Sequence, residues 1–323
     1  MNLSTLRRNT LLAAAVVLLV IAPFVTNIVQ LRMLTEIAYF ALFAVSFNFL
    51  FGYAGLLSFG HAAYFGLGAY ATAISLKSVA GMPVLASILI GGLAGAIGGV
   101  IIGFFCVRRK GAYFALLTLA FNQFLWAAAW KWRAVTGGDD GIGDLLPDTP
   151  INLGVASLDL YDTKTIYYFT LVIVFICLAA GWYLTKTPFG NTVMATKVNE
   201  ERASFLGYNA NRSKLWIFTF SAFYAGIAGS LFACFQDFVA TSVIDLGMST
   251  QVLFMAFLGG TGSYFGPILG AAVFTYFTDM ISSLTDRWEF ILGVLFILLV
   301  LFFRQGLIGL IPAKLKAFFF EKR

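Results

Sequence analysis

The stretch KTPFGNTVMATKVNEERASFLGYNANRSK, residues 186–214, is a polar island between two long apolar runs. Thr187 and Pro188 predict a helix start, the hydroxyl as cap and the proline in the first turn. Asn199 can cap a second, short helix, which places Glu200 and Glu201 at the positive end of its dipole. Arg202, Ala203 and Leu206 follow, and Gly207 is a natural C-terminal stop. So short a helix is unstable alone. It must be held by its neighbours or by a partner surface.

The rest of the chain is far more apolar than this island. Its 323 residues are 60% hydrophobic and 11% charged, with a mean hydropathy of +0.89. No soluble domain of that size hides so much apolar surface. Backbone groups in lipid must pair internally, and the apolar runs do not alternate as barrel strands do. The predicted fold class is therefore an all-α polytopic integral membrane protein, with residues 1–323 forming a single transmembrane domain. Ten apolar segments are expected, at about 10–29, 33–51, 57–76, 83–106, 111–131, 164–185, 214–236, 247–259, 265–282 and 289–305. The first follows Arg7 and Arg8 but lacks a cleavage-site pattern, so it reads as a retained span. The eighth and ninth are short and flank Gly259, Gly260, Gly262, Gly266 and Pro267; they predict a tight hairpin or a re-entrant, broken helix.

Basic residues set the expected orientation. With the N-terminus in the cytoplasm, 15 of the 21 Lys and Arg residues fall inside, in clusters at 7–8, 108–110, 186–214 and 304–323. Arg32, Lys77, Lys131, Arg133, Lys164 and Arg287 fall outside. Both termini are then cytoplasmic, 186–214 is a cytoplasmic loop, and the acidic loop 132–163 is outside. The pattern requires 247–282 to make an even number of crossings, or none. The net charge of +6 follows from this topology, fits contact with the lipid bilayer, and points to no nucleic acid.

Within the spans, Gly91, Gly95, Gly99 and Gly103 recur every fourth residue and form a smooth helix-packing stripe, suited to static packing or to sliding. Gly52–Gly60 and Gly259–Gly266 echo each other as Gly-rich breaks of the kind that flank transport pathways. Polar residues inside apolar runs are costly, which marks Asn48, Ser58, His61, Asn122 and Gln123 as candidates to line a path for a small polar solute, or to bond between helices. No nucleophile–base set occurs. One histidine and the scattered Cys106, Cys177 and Cys234 offer no metal centre, and no cofactor is expected.

Four blocks carry a family resemblance. Asn199-Glu-Glu-Arg-Ala203 with Leu206-Gly207, preceded by Thr187-Pro-Phe-Gly190, resembles the coupling loop of bacterial ATP-binding cassette importer permeases. Leu50-Phe-Gly-Tyr-Ala-Gly-Leu-Leu-Ser-Phe-Gly-His-Ala-Ala-Tyr-Phe-Gly-Leu-Gly-Ala-Tyr70 resembles the signature of the LivM-type branched-chain amino acid permeases. Thr136–Ile142 and Gly259–Pro267 are similar to the same branch, and the blocks run collinearly over about 33–305. Asn191 stands where arginine is common, Lys197 lies near another such position, and Ser204 replaces a common alanine.

The resemblance implies that Asn199, Glu200, Glu201, Arg202, Ala203, Leu206 and Gly207 dock on an ATPase. It also implies two ATPase subunits, a second permease of LivH type and a periplasmic solute-binding protein. The chain would then be a transport subunit in the bacterial cytoplasmic membrane, not an enzyme. The absence of a GxxxxGK[ST] motif agrees, since ATP would be hydrolysed on another polypeptide. Leucine, isoleucine and valine are the implied cargo; urea, short amides and aromatic acids belong to related branches. An ion-coupled secondary transporter or channel is the rival class, and it would need midplane charges that the sequence lacks.

Overall fold

The computed structural model describes residues 18–307, apart from 80, 147–150, 153–156, 286, 288–289, 292, 295–296 and 298–305. Residues 18–25 are helical. Helix α1 spans Ile28–Asn48 and runs on into a π-helical turn, Phe49–Tyr53. After an unwound stretch, 54–61, come α2 (Ala62–Ser78), α3 (Val84–Cys106), α4 (Ala112–Lys131) and the single turn α5 (Arg133–Thr136). Then follow α6 (Thr163–Lys186), α7 (Pro188–Val198), α8 (Glu200–Phe205) and α9 (Ala210–Gln236). A 3-10 turn, Thr241–Ile244, leads to α10 (Leu246–Gly259) and α11 (Gly266–Ser282).

The chain is an all-α polytopic membrane protein. Five stretches, 28–53, 84–106, 112–131, 163–186 and 210–236, have the length and apolarity of a membrane span. Helices α2, α10 and α11 are shorter, with 17, 14 and 17 residues. The expected segments 10–29 and 289–305 lie partly outside the described residues. Two boundaries differ from expectation. Helix α1 begins at Ile28 and not near 33, because the Gln30 side chain accepts the Asn27 N–H at 3.3 Å and caps its start. The segment expected from 57 becomes helical only at Ala62.

Helices α1 and α9 form the core, with 72% and 78% of their most apolar stretches buried, against 28–39% for α3, α4 and α6. The glycine stripe on α3 lies against α9. A methyl group at Gly95 would sit 2.5 Å from the Ala222 carbonyl oxygen, and one at Gly226 would sit 2.7 Å from that of Gly91. Gly99 and Gly103 meet Ala222, Leu215 and Phe218 on the same face. Helix α2 joins them, with Gly68 against the Gly226 backbone and Gly229 against that of Phe65. Lipid tails are as apolar as leucine, so close backbone contact supplies the attraction that burial supplies in water.

Two crossings are broken, and in opposite directions. At one end of the bundle, the basic end, lie the 186–214 loop and the end of α1: Lys197 Nζ donates to the Gly52 carbonyl at 2.7 Å. At the other, acidic end lies the 132–162 loop, where Lys77 at the close of α2 donates to the Gly143 carbonyl at 2.8 Å. Strand β1 (Ile142–Gly143) pairs antiparallel with β4 (Phe238–Val239) there, and Asp237 accepts the N–H groups of Leu145 and Leu146. A second short hairpin pairs β2 (Ile151–Asn152) with β3 (Ser157–Leu158).

From the basic end, unwound 54–61 climbs to Ala62, and α2 continues outward. From the acidic end, 237–245 descends to Leu246, and α10 continues toward Gly52. The two helix starts meet, where the Ala62 N–H donates to Ser249 Oγ at 3.0 Å. With 14 residues, α10 is about 21 Å long, short of the ~30 Å hydrocarbon core, so 237–245 supplies the rest of that crossing. Helix α11 returns along α10 as a tight hairpin, a methyl at Gly270 meeting the Gly259 nitrogen at 2.6 Å. The Gly-rich stretch 259–266 is also a break, and it packs against the Gly52–Gly60 break: a methyl at Gly52 would lie 2.6 Å from the Thr261 carbonyl oxygen.

Gly226→Leu is expected to lower the melting temperature of the detergent-purified chain, since overpacking a tight contact costs about 1–3 kcal/mol or more. Gly262→Ala, where a methyl meets nothing within 4 Å, should melt like the parent. Equal melting of all three would contradict the backbone contact.

Candidate functional site

The 186–214 loop has the local structure its residue types predict. Thr187 Oγ1 accepts the Gly190 N–H at 3.4 Å, with Pro188 opening α7. Asn199 Oδ1 accepts the Arg202 N–H at 2.9 Å and caps α8. Helix α8 spans six residues, Glu200–Phe205, between its cap Asn199 and Leu206, and Gly207 reverses the chain with φ +87°. Ala203 is buried beneath α8, whereas Val198, Phe205 and Leu206 stand 77–89% exposed. Three large apolar side chains on one polar loop are an unpartnered surface outside the membrane spans.

Glu200 does more than favour the helix dipole. Its carboxylate meets Lys110 Nζ at 2.7 Å and Lys214 Nζ at 3.0 Å. Lys110 comes from the α3–α4 connection and Lys214 from the first turns of α9, so one carboxylate ties α8 to both. Burial works to raise the Glu200 carboxyl, but the bonds from the two lysines outweigh it and hold it below its ordinary value. Lys214 is almost fully buried and Lys110 mostly exposed. Neither lysine stands out in the sequence, because the pairing links positions 90 and 14 residues from Glu200. Lys197, on α7, reaches the end of α1, and burial pushes its ammonium down.

The polar residues within the spans fall into two groups. Asn48 lies by the 260–265 turn, donating to the Ser263 carbonyl at 2.9 Å. His61 and Asn122 lie at the meeting of α2 and α10. His61 Nε2 is 2.8 Å from Ser46 Oγ, and the ring packs among Phe43, Phe47 and Tyr64. Ser221 Oγ donates to the Ser46 carbonyl at 2.5 Å, and Asn122 Nδ2 to that of Ile244 at 2.8 Å. Ser58 is buried on the unwound approach to His61, and Gln123 is half-buried on α4. Among the described residues, the buried side-chain atoms without a protein hydrogen-bond partner include Asn48 Oδ1, Ser58 Oγ, His61 Nδ1 and Asn122 Oδ1, along with the hydroxyls of Tyr39, Tyr64, Tyr70 and Thr275. Such atoms cost about 1–3 kcal/mol each. Ser46, Ser221 and Ser249 belong to this junction and are invisible as such in the sequence, since a serine in an apolar run more often bonds its own helix.

A tight helical bundle with a capped polar loop at one end and broken crossings in its middle defines a membrane permease. Residues 29–301 match the family described as branched-chain amino acid transport system / permease component, and the chain belongs to that family. It is 29% identical to the high-affinity branched-chain amino acid transport system permease protein LivM of Escherichia coli (strain K12), over 97% of this chain and 78% of that protein. The LivM protein of Salmonella typhimurium (strain LT2) is 28% identical with the same coverage. The autoinducer 2 import system permease protein LsrC of Salmonella typhi is 27% identical over 68% of this chain and 59% of its own length.

Lys214→Met is expected to destabilise the purified chain more than Lys110→Met. The first strips a partly buried carboxylate of its buried partner; the second breaks a solvent-screened pair. Glu200 has a lowered pKa, so its contribution is present above the ordinary carboxylate value of 4.5 and lost as pH falls through the lowered one. The melting difference between parent and Lys214→Met should therefore shrink on acidification below that range. A difference independent of pH would contradict the ionic tie.

Proposed function

We propose that the chain is the membrane-spanning permease subunit of an ATP-binding cassette importer in the bacterial cytoplasmic membrane, carrying leucine, isoleucine and valine. Both termini and the 186–214 loop face the cytoplasm, and the 132–162 loop faces the periplasm. Two ATPase subunits on separate polypeptides drive transport, a LivH-type permease completes the pore, and a periplasmic solute-binding protein delivers the cargo. The choice of cargo is supported by coverage: the LivM proteins match over 97% of the chain, the LsrC protein over 68%.

The observation that carries this reading is the docking loop. Helix α8 is capped at Asn199, stopped at Gly207 and tied by Glu200 to α9 and the α3–α4 connection, yet presents Phe205 and Leu206 to solvent. A groove on an ATPase subunit would cover those side chains and read Glu201 and Arg202 at its rim. Movement of the groove would pass through α8 to α9 and the α3–α4 connection. The junction of α2 and α10, with Ser58, His61 and Asn122, is the constriction that the solute passes, and Asn48 lies beside its exit. In this conformation those groups are buried, as in a closed pathway.

Leu206→Asp is expected to reduce co-purification of the ATPase subunits at least about tenfold, the scale on which a buried apolar contact loses binding, while leaving the melting temperature of the chain unchanged. Normal co-purification would remove the docking assignment. Asn122→Leu should keep ATPase binding and lower uptake; unchanged uptake would return Asn122 to a packing role.

A further inference from the structure

The end of α1 is capped from another part of the chain. The last four carbonyls of a helix have no partner within it and carry the negative end of its dipole. In α1 and its π-helical turn, the Gly52 carbonyl accepts from Lys197 Nζ, a residue 145 positions further on. Lys197 sits on α7, two residues before Asn199, the cap of α8. Its stem runs over Gly55, where φ is +72° and a methyl group would lie 3.1 Å from Lys197 Cγ. The same turn holds the α10–α11 connection: Gly52 touches the Thr261 carbonyl, and Asn48 donates to that of Ser263. Beyond the turn the chain enters the unwound stretch that ends at His61.

A π-helical turn carries one residue more than an α-helical one, so a small change at its end can shift it into α register. Its cap therefore controls more than one hydrogen bond. Glu200 holds α8 through two lysines, one of them buried. Lys197 is a single ammonium at the protein surface, able to let go. We propose that Lys197 is a positioning residue that caps α1 from the docking loop and turns a displacement of that loop into a change of the π-helical turn, where the 54–61 and 260–265 breaks converge. The role in transmission rests on the docking reading above; the cap itself does not.

The test compares the parent with Lys197→Met and Lys197→Arg, both in the importer purified with its bound subunits and as the chain alone in nanodiscs. Hydrogen exchange of the amides of 53–57 is measured on the chain alone, and solute moved per ATP on the assembly. Loss of a charge-assisted hydrogen bond is worth roughly tenfold in a local equilibrium. Lys197→Met is thus expected to raise exchange of 53–57 about tenfold, with 62–78 unchanged, and to lower solute moved per ATP by a similar factor. Arginine keeps the charge and donors, although in a planar fork, and should restore exchange and coupling at least in part. Parent-like exchange in Lys197→Met, or arginine failing as methionine does, would overturn the cap. Raised exchange with parent-like solute per ATP would overturn the transmission role alone. A parent preparation that binds no ATPase would overturn the docking reading and the transmission role together, and leave the exchange result to decide the cap.

Discussion

The close approach of α3 to α9 is the constraint on which the rest of the structure depends. Gly91 and Gly95 on one helix and Gly226 on the other bring backbones together where any side chain would hold them apart. In a solvent that gives no reward for burying leucine, such contact is what a bundle has to hold it together. Once α9 is fixed against α3, its Gly229 takes in α2 and its Ser221 reaches the Ser46 carbonyl on α1. The unwound stretches 54–61 and 237–245 keep much of their length within this packing, with Leu56, Ser58, Thr241, Val243 and Ile244 buried in protein.

That arrangement puts the irregular backbone where a transport protein can use it. The starts of α2 and α10 meet head to head through Ala62 and Ser249, and the polar side chains of the spans gather there. A continuous helix at either place would bury the same apolar surface without carrying unpaired atoms at Ser58, His61 and Asn122. That cost is borne by the residues where the two unwound stretches converge. The 186–214 loop connects to this region by two routes: through Glu200 to α9 and the α3–α4 connection, and through Lys197 to the end of α1.

Much of this was legible in the residues. The five long spans follow from apolar length, and the caps Thr187, Asn199 and Gly207 follow from side-chain chemistry that acts within three residues. The four-residue spacing of Gly91, Gly95, Gly99 and Gly103 announced a close helix contact, although not which helix. What remained hidden depends on distance along the chain. Gly52–Gly60 reads as a Gly-rich break, but that it stays unwound as far as Ala62, with Gly60 packed against the Thr118 carbonyl, shows only in the fold. The descent at 237–245 has no glycine at all; it turns through Asp237, with φ +54°, and a 3-10 turn. The Gly-rich stretch at 259–266 is a break, as its composition suggests, but its contact with Gly52 appears only in the fold. Glu200 could be placed on the helix dipole, but Lys110 and Lys214 come to it only through the tertiary fold.

The measurement that bears most directly on the central claim is ATP hydrolysis by the chain purified with every subunit that stays bound, in liposomes loaded with its periplasmic binding protein. The account predicts that leucine stimulates hydrolysis and is taken up in step with it. Bound ATPase that ignores leucine, isoleucine and valine but answers another solute would contradict the cargo. No hydrolysis and no bound ATPase under gentle extraction would contradict the importer itself.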